Sequence, residues 1–261
     1  MDTALPIENL ERYHSASQRA RVATEAWGAA NLYCVNCDSP TLEPTPTNFH
    51  ATDFHCPRCR NAFQLKGRSR SFGNRILDSA YSKMIDAITS DRAPHFVLLR
   101  YIPEHWRVLD VFLIPCFAIP KSAIQKRNPL SANAERAGWV GCNIVLTNIP
   151  DVARLPIMLN GVPERPSDVR RQFQRIRPLA ELGVEERGWT LDVLTAVRSL
   201  GKREFAAKDM NAKIKDLSRL HPNNHHVREK IRQQLQVLRD KGFVEFLERG
   251  NYRLREFFLQ Y

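Results

Sequence analysis

The run Asp53-Phe-His-Cys-Pro-Arg-Cys-Arg-Asn-Ala-Phe-Gln-Leu-Lys66 decides how the rest of the chain is read. Two patterns overlap in it. Cys56 and Cys59 form a Cys-x-x-Cys pair that answers Cys34 and Cys37 upstream, and Asp53 is followed by Gln64-x-Lys66. Two segments, Ala51 to Phe54 and Ala62 to Lys66, have strand composition, with Phe54, Phe63 and Leu65 apolar. The second cysteine pair then falls at the tip of a predicted hairpin. That hairpin sets Asp53 near Gln64 on adjacent strands, and Lys66, two residues on, shares the face of Gln64.

The cysteines point to a metal. Residues 38 to 55 separate the two pairs, a spacing that lets four thiolates close a tetrahedral site of the ribbon type. Cys34, Cys37, Cys56 and Cys59 are therefore expected to hold a structural Zn²⁺. Four protein ligands leave no open coordination position, so this zinc is architectural. The remaining cysteines, Cys116 and Cys142, stand alone.

Asp53, Gln64 and Lys66 form a grouping that phosphodiester hydrolysis needs. A carboxylate holds Mg²⁺, which polarises the phosphate and acidifies a bound water. A lysine beside it orients that water and stabilises developing charge. Taken alone, such residues are also common on ordinary strands. The chain's 261 residues carry a formal net charge of +11, which favours a polyanionic partner and allows two modest domains. No apolar run approaches the roughly 18 residues of a membrane span. The first residues lack a signal-peptide pattern, so a cytoplasmic protein with reduced thiols is expected.

Outward from the hairpin, Ile7 to Trp27 reads as a helix with a polar middle at Ser15, Ser17 and Gln18. Glu25 on it belongs either to a solvated charged face or to the catalytic site. Gly67 to Asn74 reads as a basic loop whose Arg68 and Arg70 either contact phosphate or are simply solvated. A helix is expected from Arg75 to about Thr89, followed by buried strands at Phe96–Tyr101 and Val108–Ile114. Within Pro129 to Asn143, Arg136, Trp139 and Asn143 are candidate base contacts, although an isolated tryptophan is often core. The proline-rich stretch from Pro150 to Glu186 is expected to connect two domains, at 1–182 and 183–261.

The C-terminal segment predicts three helices and a hairpin. Trp189–Leu200 is the first helix, Glu204-Phe205 a short strand, and Asp209 caps a second helix carrying Met210, Ile214 and Leu217. Asn224–Lys241 is the third, with Val227, Ile231, Leu235 and Leu238 inward and Gly242 ending it. A hairpin around Glu248–Asn251 closes a winged helix. His225, Arg232, Gln233 and Gln236 then face outward, with Arg249 at the wing tip. Such side chains read base edges or phosphates, although winged helices also bind proteins.

Together these motifs resemble the DpnI family of methyl-directed restriction endonucleases. The resemblance rests on Ser17-Gln18, Ala20-Arg21 and Thr24-Glu25, both cysteine pairs, Asp53-Phe54 and Leu65-Lys66. It continues in Ala80-Tyr81, Arg136–Trp139, Gly141–Ile144, Arg187–Thr190 and the run His226–Lys241. It implies an α/β PD-(D/E)xK restriction-endonuclease-like domain with a four-cysteine zinc-binding insertion, followed by a winged-helix domain. The implied activity is Mg²⁺-dependent hydrolysis of double-stranded DNA at adenine-methylated GATC-type sites by a monomer. Asp53 and Lys66 take the family's catalytic places. Gln64 departs from the family's Glu, its carbonyl oxygen remaining as a Mg²⁺ ligand and Glu25 as supporting carboxylate. Trp139 is the candidate surface for the methyl group. The alternative is a catalytically weakened or inactive regulator that binds methylated DNA through its zinc module and winged helix.

Overall fold

The computed structural model describes residues 1–46 and 52–255. Ala51, assigned above to the first hairpin strand, lies outside the described residues, as do residues 256–261. In chain order the first elements are helix α1 (Ala16–Asn31), strands β1 (Glu43–Pro44), β2 (Phe54–His55), β3 (Ala62–Arg68) and β4 (Arg75–Ala80), and helix α2 (Tyr81–Thr89). Strands β5 (His95–Ile102), β6 (Arg107–Ile114), β7 (Ile124–Lys126), β8 (Gly141–Val145), β9 (Leu155–Leu159) and β10 (Val162–Pro163) follow, then helix α3 (Pro166–Ile176). The C-terminal part holds α4 (Val184–Arg198), β11 (Glu204–Ala206), α5 (Ile214–Leu220), α6 (Val227–Asp240), β12 (Val244–Phe246) and β13 (Asn251–Leu254).

Two units are each assembled from separate stretches of chain. The first comprises Met1–Gly73, Arg92–Cys116 and Ala153–Arg177; the second comprises Asn74–Asp91, Phe117–Val152 and Pro178–Tyr261. The first unit is built on a seven-stranded sheet of order β1-β2-β3-β5-β6-β9-β10, in which β3 and β5 run parallel and all other neighbours antiparallel. Strand β5 lies inside this sheet, and its apolar run is buried from His95 to Leu99. Helix α1 turns Ala23, Thr24, Trp27 and Gly28 inward. Trp27 is fully buried and its Nε1 donates to the carbonyl of Asp2 at 2.8 Å. Its loss to alanine is expected to cost about 3–5 kcal/mol. Gly28 is required by close approach, since a Cβ there would stand 2.7 Å from the Phe54 ring.

The second unit contains a three-stranded sheet of order β4-β8-β7 and a winged helix whose sheet has the order β11-β13-β12. Val227, Ile231, Leu235 and Leu238 of α6 are buried, as the apolar stripe requires, and Gly242 follows the helix with φ +80°. Polar side chains from α4 tie the two parts of this unit together. Arg187 binds Asp91 at 2.5 Å and the Leu182 carbonyl at 3.0 Å. Buried Asp192 accepts from Ser122 Oγ at 2.7 Å and meets His221 Nε2 at 2.7 Å, and Arg198 pairs with Asp151.

Several expected boundaries are corrected. The Ile7–Trp27 helix is a short turn at Leu10–Arg12 followed by α1, because Ser15 accepts the Gln18 N–H at 3.1 Å and starts the helix there. The polar residues expected mid-helix are thus its N-terminus. The Arg75–Thr89 helix is a strand and then a shorter helix: Arg75, Ile76 and Leu77 pair with Val145, Ile144 and Asn143, and tertiary pairing overrides the helical spacing. Gly67 and Arg68 belong to β3, not to the following loop. The stretch from 150 to 186 is not a connection. It supplies β9 beside β6 and helix α3, which buries Val169, Phe173 and Ile176. Asp209 acts from inside its helical turn, its Oδ2 accepting the Ala206 N–H at 3.1 Å. The third helix of the winged helix starts at Val227, not Asn224.

Candidate functional site

Asp53 stands where β2 parts from β3. Phe54 pairs with Phe63, yet the Asp53 N–H also reaches the Phe63 carbonyl at 2.9 Å, so two residues of one strand oppose one of the other. The Asp53 side chain then takes the place of the next ladder bond, with Oδ2 accepting the Leu65 N–H at 2.7 Å. Leu65 is the middle residue of Gln64-Leu65-Lys66, so the carboxylate abuts the backbone of that run.

Asp53 also lines a cavity of about 310 Å³ with Arg21, Glu25, Pro44, Thr45, Thr52 and neighbouring residues of α1. Glu25 is half-buried and bound by Arg21 Nε at 2.7 Å, four residues earlier on α1. The hydrogen bond to Glu25 and its charge hold the Arg21 guanidinium more firmly protonated than usual, and the charge of Asp53 adds to this. Asp53 and Glu25 are therefore brought to one cavity, with a cation between their fields.

Gln64 and Lys66 are placed differently. Phe54 packs on Gly28 of α1, and its partner Phe63 and next-but-one neighbour Leu65 share that buried face. Alternation puts Gln64 and Lys66, both partly buried, on the other face of β3. They are not among the described residues lining the cavity. Arg68 ends the same strand with its guanidinium 5.4 Å from the Phe72 ring centroid, and Arg70 is exposed in the loop beyond.

The four cysteines of the two pairs converge, as their spacing requires. Their sulfur atoms all lie within 4.8 Å of one another, with Cys34–Cys59 and Cys37–Cys56 at 3.5 Å. A tetrahedral site with metal–sulfur bonds of about 2.3 Å sets sulfurs about 3.8 Å apart, so the cluster fits a thiolate-bound metal ion. Burial pushes the Cys34 thiol up. Burial also acts upward on Cys56, but the N–H groups of Cys59 and Arg58 and the neighbouring thiols outweigh it and bring that thiol down to about 7. Four sulfurs this close, two of them buried, can all be thiolates only with a cation among them. Arg170 of α3 braces the first pair from 136 residues away, donating to the carbonyls of Cys34 and Ser39 at 3.0 Å each and covering the Tyr33 ring.

In the second unit, Trp139 is partly buried and folded back on β8. Its ring occupies the space over Gly141, where a Cβ would come within 2.7 Å of it, and Arg136 stacks on it at 4.9 Å. Asn143 lies on β8 between Leu77 and Gln125 and donates to Gln125 Oε1 at 3.2 Å. On the winged helix, His225, Arg232, Gln233 and Gln236 are exposed, and Gln233 accepts from Lys230 at 3.0 Å. Arg249 is exposed at the wing turn with φ +47°.

Sequence reasoning missed Arg21 and Thr45 at the cavity and Arg170 at the cysteines. Arg21 carried a signal in its four-residue spacing from Glu25. Arg170 carried none, since its partners are distant in sequence. With this geometry in place, the comparisons with known families are direct. Residues 1–182 match the family model described as DpnI, Dam-replacing family, and residues 185–254 match DpnI_C, the Dam-replacing HTH domain.

Proposed function

Because the chain belongs to the DpnI, Dam-replacing family, we propose that it is a methylation-dependent restriction endonuclease hydrolysing double-stranded DNA at adenine-methylated GATC-type sites. The observation that carries this reading is the meeting of Asp53 and Glu25 in one cavity, with the Asp53 carboxylate tied to the backbone of the Gln64-Leu65-Lys66 run. Two carboxylates offer hard oxygen donors that suit Mg²⁺, and Oδ1 of Asp53 is not used by the Leu65 bond. Bound there, the metal would supply Lewis acidity and lower the pKa of a coordinated water. Asp53 would anchor the metal at the strand edge where its carboxylate meets the Leu65 N–H, Glu25 would support it from α1, and Gln64 would bring a neutral carbonyl oxygen round that edge from the other face of β3. Lys66, on the same face as Gln64, would orient the attacking water from that side and neutralise developing negative charge.

Zn²⁺ is the metal assigned to Cys34, Cys37, Cys56 and Cys59, where it pins the hairpin that carries Asp53 and Gln64. Residues 1–182 form the cutting part and 183–261 a winged-helix reader. Arg68, Arg70 and Arg249 contact phosphate. Arg136, Trp139, Asn143, His225, Arg232, Gln233 and Gln236 reach base edges, with Trp139 against the methyl group. The enzyme acts as a cytoplasmic monomer; none of its described helices is long and apolar enough to cross a membrane.

A second reading is a non-cleaving regulator of methylated DNA, favoured by the missing charge at Gln64. Incubation with Mg²⁺ and matched plasmids from methylating and non-methylating hosts separates the two. Selective cutting of the methylated plasmid, lost in Lys66→Ala, supports the enzyme. Methyl-selective binding without cutting supports the regulator.

A further inference from the structure

We infer that Thr45 is a positioning residue of the Asp53–Glu25 cavity, its hydroxyl serving the hydration shell of the divalent cation that the proposed function places there. The inference rests on that reading and adds a residue to it. Strand pairing sets Thr45 beside Asp53. Glu43 pairs with His55 and Pro44 with Phe54, and the next step of the same register is closed by the Thr45 N–H donating to the Asp53 carbonyl at 2.9 Å. Directly opposed residues of an antiparallel pair carry their side chains on one face, with Cβ atoms about 4.5–5.5 Å apart. Thr45 lines the same 310 Å³ cavity as Asp53, Glu25 and Arg21.

Its hydroxyl is buried, with less than 1 Å² of accessible surface, and has no hydrogen-bond partner among the described residues. That is unusual, because buried hydroxyls are disfavoured without a partner. Other buried or partly buried threonines of this chain obey the rule: Thr24, Thr190 and Thr195 each donate to a carbonyl one helical turn earlier, at 2.8, 2.8 and 2.9 Å. A strand offers Thr45 no such carbonyl. One staggered rotation about χ1 brings the hydroxyl to the position now held by the methyl group or by the β-hydrogen. Mg²⁺ keeps several of its waters when bound, and these need hydrogen-bond partners from the protein wall. A threonine opposite the anchoring carboxylate supplies one.

The test uses full-length protein loaded with zinc at its cysteines, with Mn²⁺ as probe, in wild type, Thr45→Val, Thr45→Ser and Asp53→Asn. Mn²⁺ binding is followed by electron paramagnetic resonance, and thermal unfolding is recorded without Mn²⁺. Thr45→Val is expected to bind Mn²⁺ roughly tenfold more weakly, the equivalent of one lost hydrogen bond, and Thr45→Ser within about twofold of wild type. Without Mn²⁺, Thr45→Val is expected to melt about 2–4 °C higher, because an unpaired hydroxyl has been replaced by a methyl. Wild-type affinity in Thr45→Val, with binding lost in Asp53→Asn, overturns the role of Thr45 and leaves the cation site standing. Failure of Thr45→Ser to restore binding overturns it too. Unchanged Mn²⁺ binding in Asp53→Asn overturns the cation site and this inference with it.

Discussion

The backbone N–H of Leu65 donates to Oδ2 of Asp53 at 2.7 Å, so a side chain completes the ladder where β2 and β3 separate. The bond fixes the carboxylate beside the Gln64-Leu65-Lys66 run and leaves Oδ1 for another task. It also explains how Asp53 can line a cavity with Glu25 of α1 while Gln64 and Lys66 occupy the other face of β3.

Gln64, proposed to reach the metal from the other face of β3, would be its weakest ligand, because an amide oxygen carries no full charge. Gln64→Glu keeps the length of the side chain and adds that charge. The Mg²⁺ concentration that half-saturates cleavage is expected to fall roughly tenfold, in line with the dependence of cation affinity on ligand charge. A Mg²⁺ titration of initial cutting rates reads this. An unchanged or raised midpoint would remove Gln64 from the metal.

With zinc at the four cysteines as proposed, metal is linked to folding. Wild type is expected to release one zinc per chain on treatment with a thiol-blocking reagent, measured with a colorimetric chelator, and Cys34→Ser much less. Cys34 is buried, and its loss takes metal-binding energy directly from the fold, so a fall in Tm of roughly 10 °C is expected. A zinc-free wild type with unchanged Tm would contradict this.

His95 predicts a pH dependence. It is buried between Phe63 and Phe173, its Nδ1 accepts the Cys116 N–H at 3.0 Å, and burial pulls its pKa from 6.5 to about 4. The unfolded chain therefore takes up a proton before the folded one. The stability from keeping this ring neutral is present above pH 6.5 and is lost as pH falls from 6.5 to about 4. Between pH 7 and pH 5 the loss is about 2 kcal/mol. Urea unfolding of wild type and His95→Asn at both pH values isolates it. The drop should be smaller in the variant by that amount, and equal drops would exclude His95 as its source.

Trp139→Ala tests the methyl contact. Trp139 is partly buried over Gly141, so thermal unfolding of the variant is recorded alongside, and the preference for methylated over unmethylated duplex should fall roughly tenfold, as for one lost apolar contact. Binding titrations on the two duplexes measure the ratio, and a preserved ratio would reassign methyl recognition.

Legibility followed the range of the interactions. The cysteine pairs and strands β3, β5 and β6 could be read directly, because spacing and apolar runs are local signals. Strand β4 could not, since Ile76, Ala80, Met84 and Ile88 fit a helix and only pairing with β8, some 60 residues later, makes the first part extended. Strand β9 and helix α3 were hidden in a proline-rich stretch, where Pro166 begins a helix and does not break one. At the site, the nearness of Asp53 to the backbone of the Gln64-Leu65-Lys66 run followed from the hairpin. The bond to Leu65, the opposite face of Gln64 and Lys66, and the place of Thr45 depend on a local irregularity and an edge strand that no sequence period announces.

The most direct test of the account is single-turnover cleavage of a duplex bearing one methylated GATC site, with Mg²⁺, by wild type and Asp53→Asn. Asparagine can still accept the Leu65 N–H but brings no charge to the metal. Wild type should cut both strands of the methylated duplex and spare the unmethylated one. Asp53→Asn should bind the methylated duplex as tightly but cut it at least about a thousandfold more slowly, a loss of about 4 kcal/mol. Equal cutting of both duplexes by wild type, or wild-type cutting by Asp53→Asn, would contradict it.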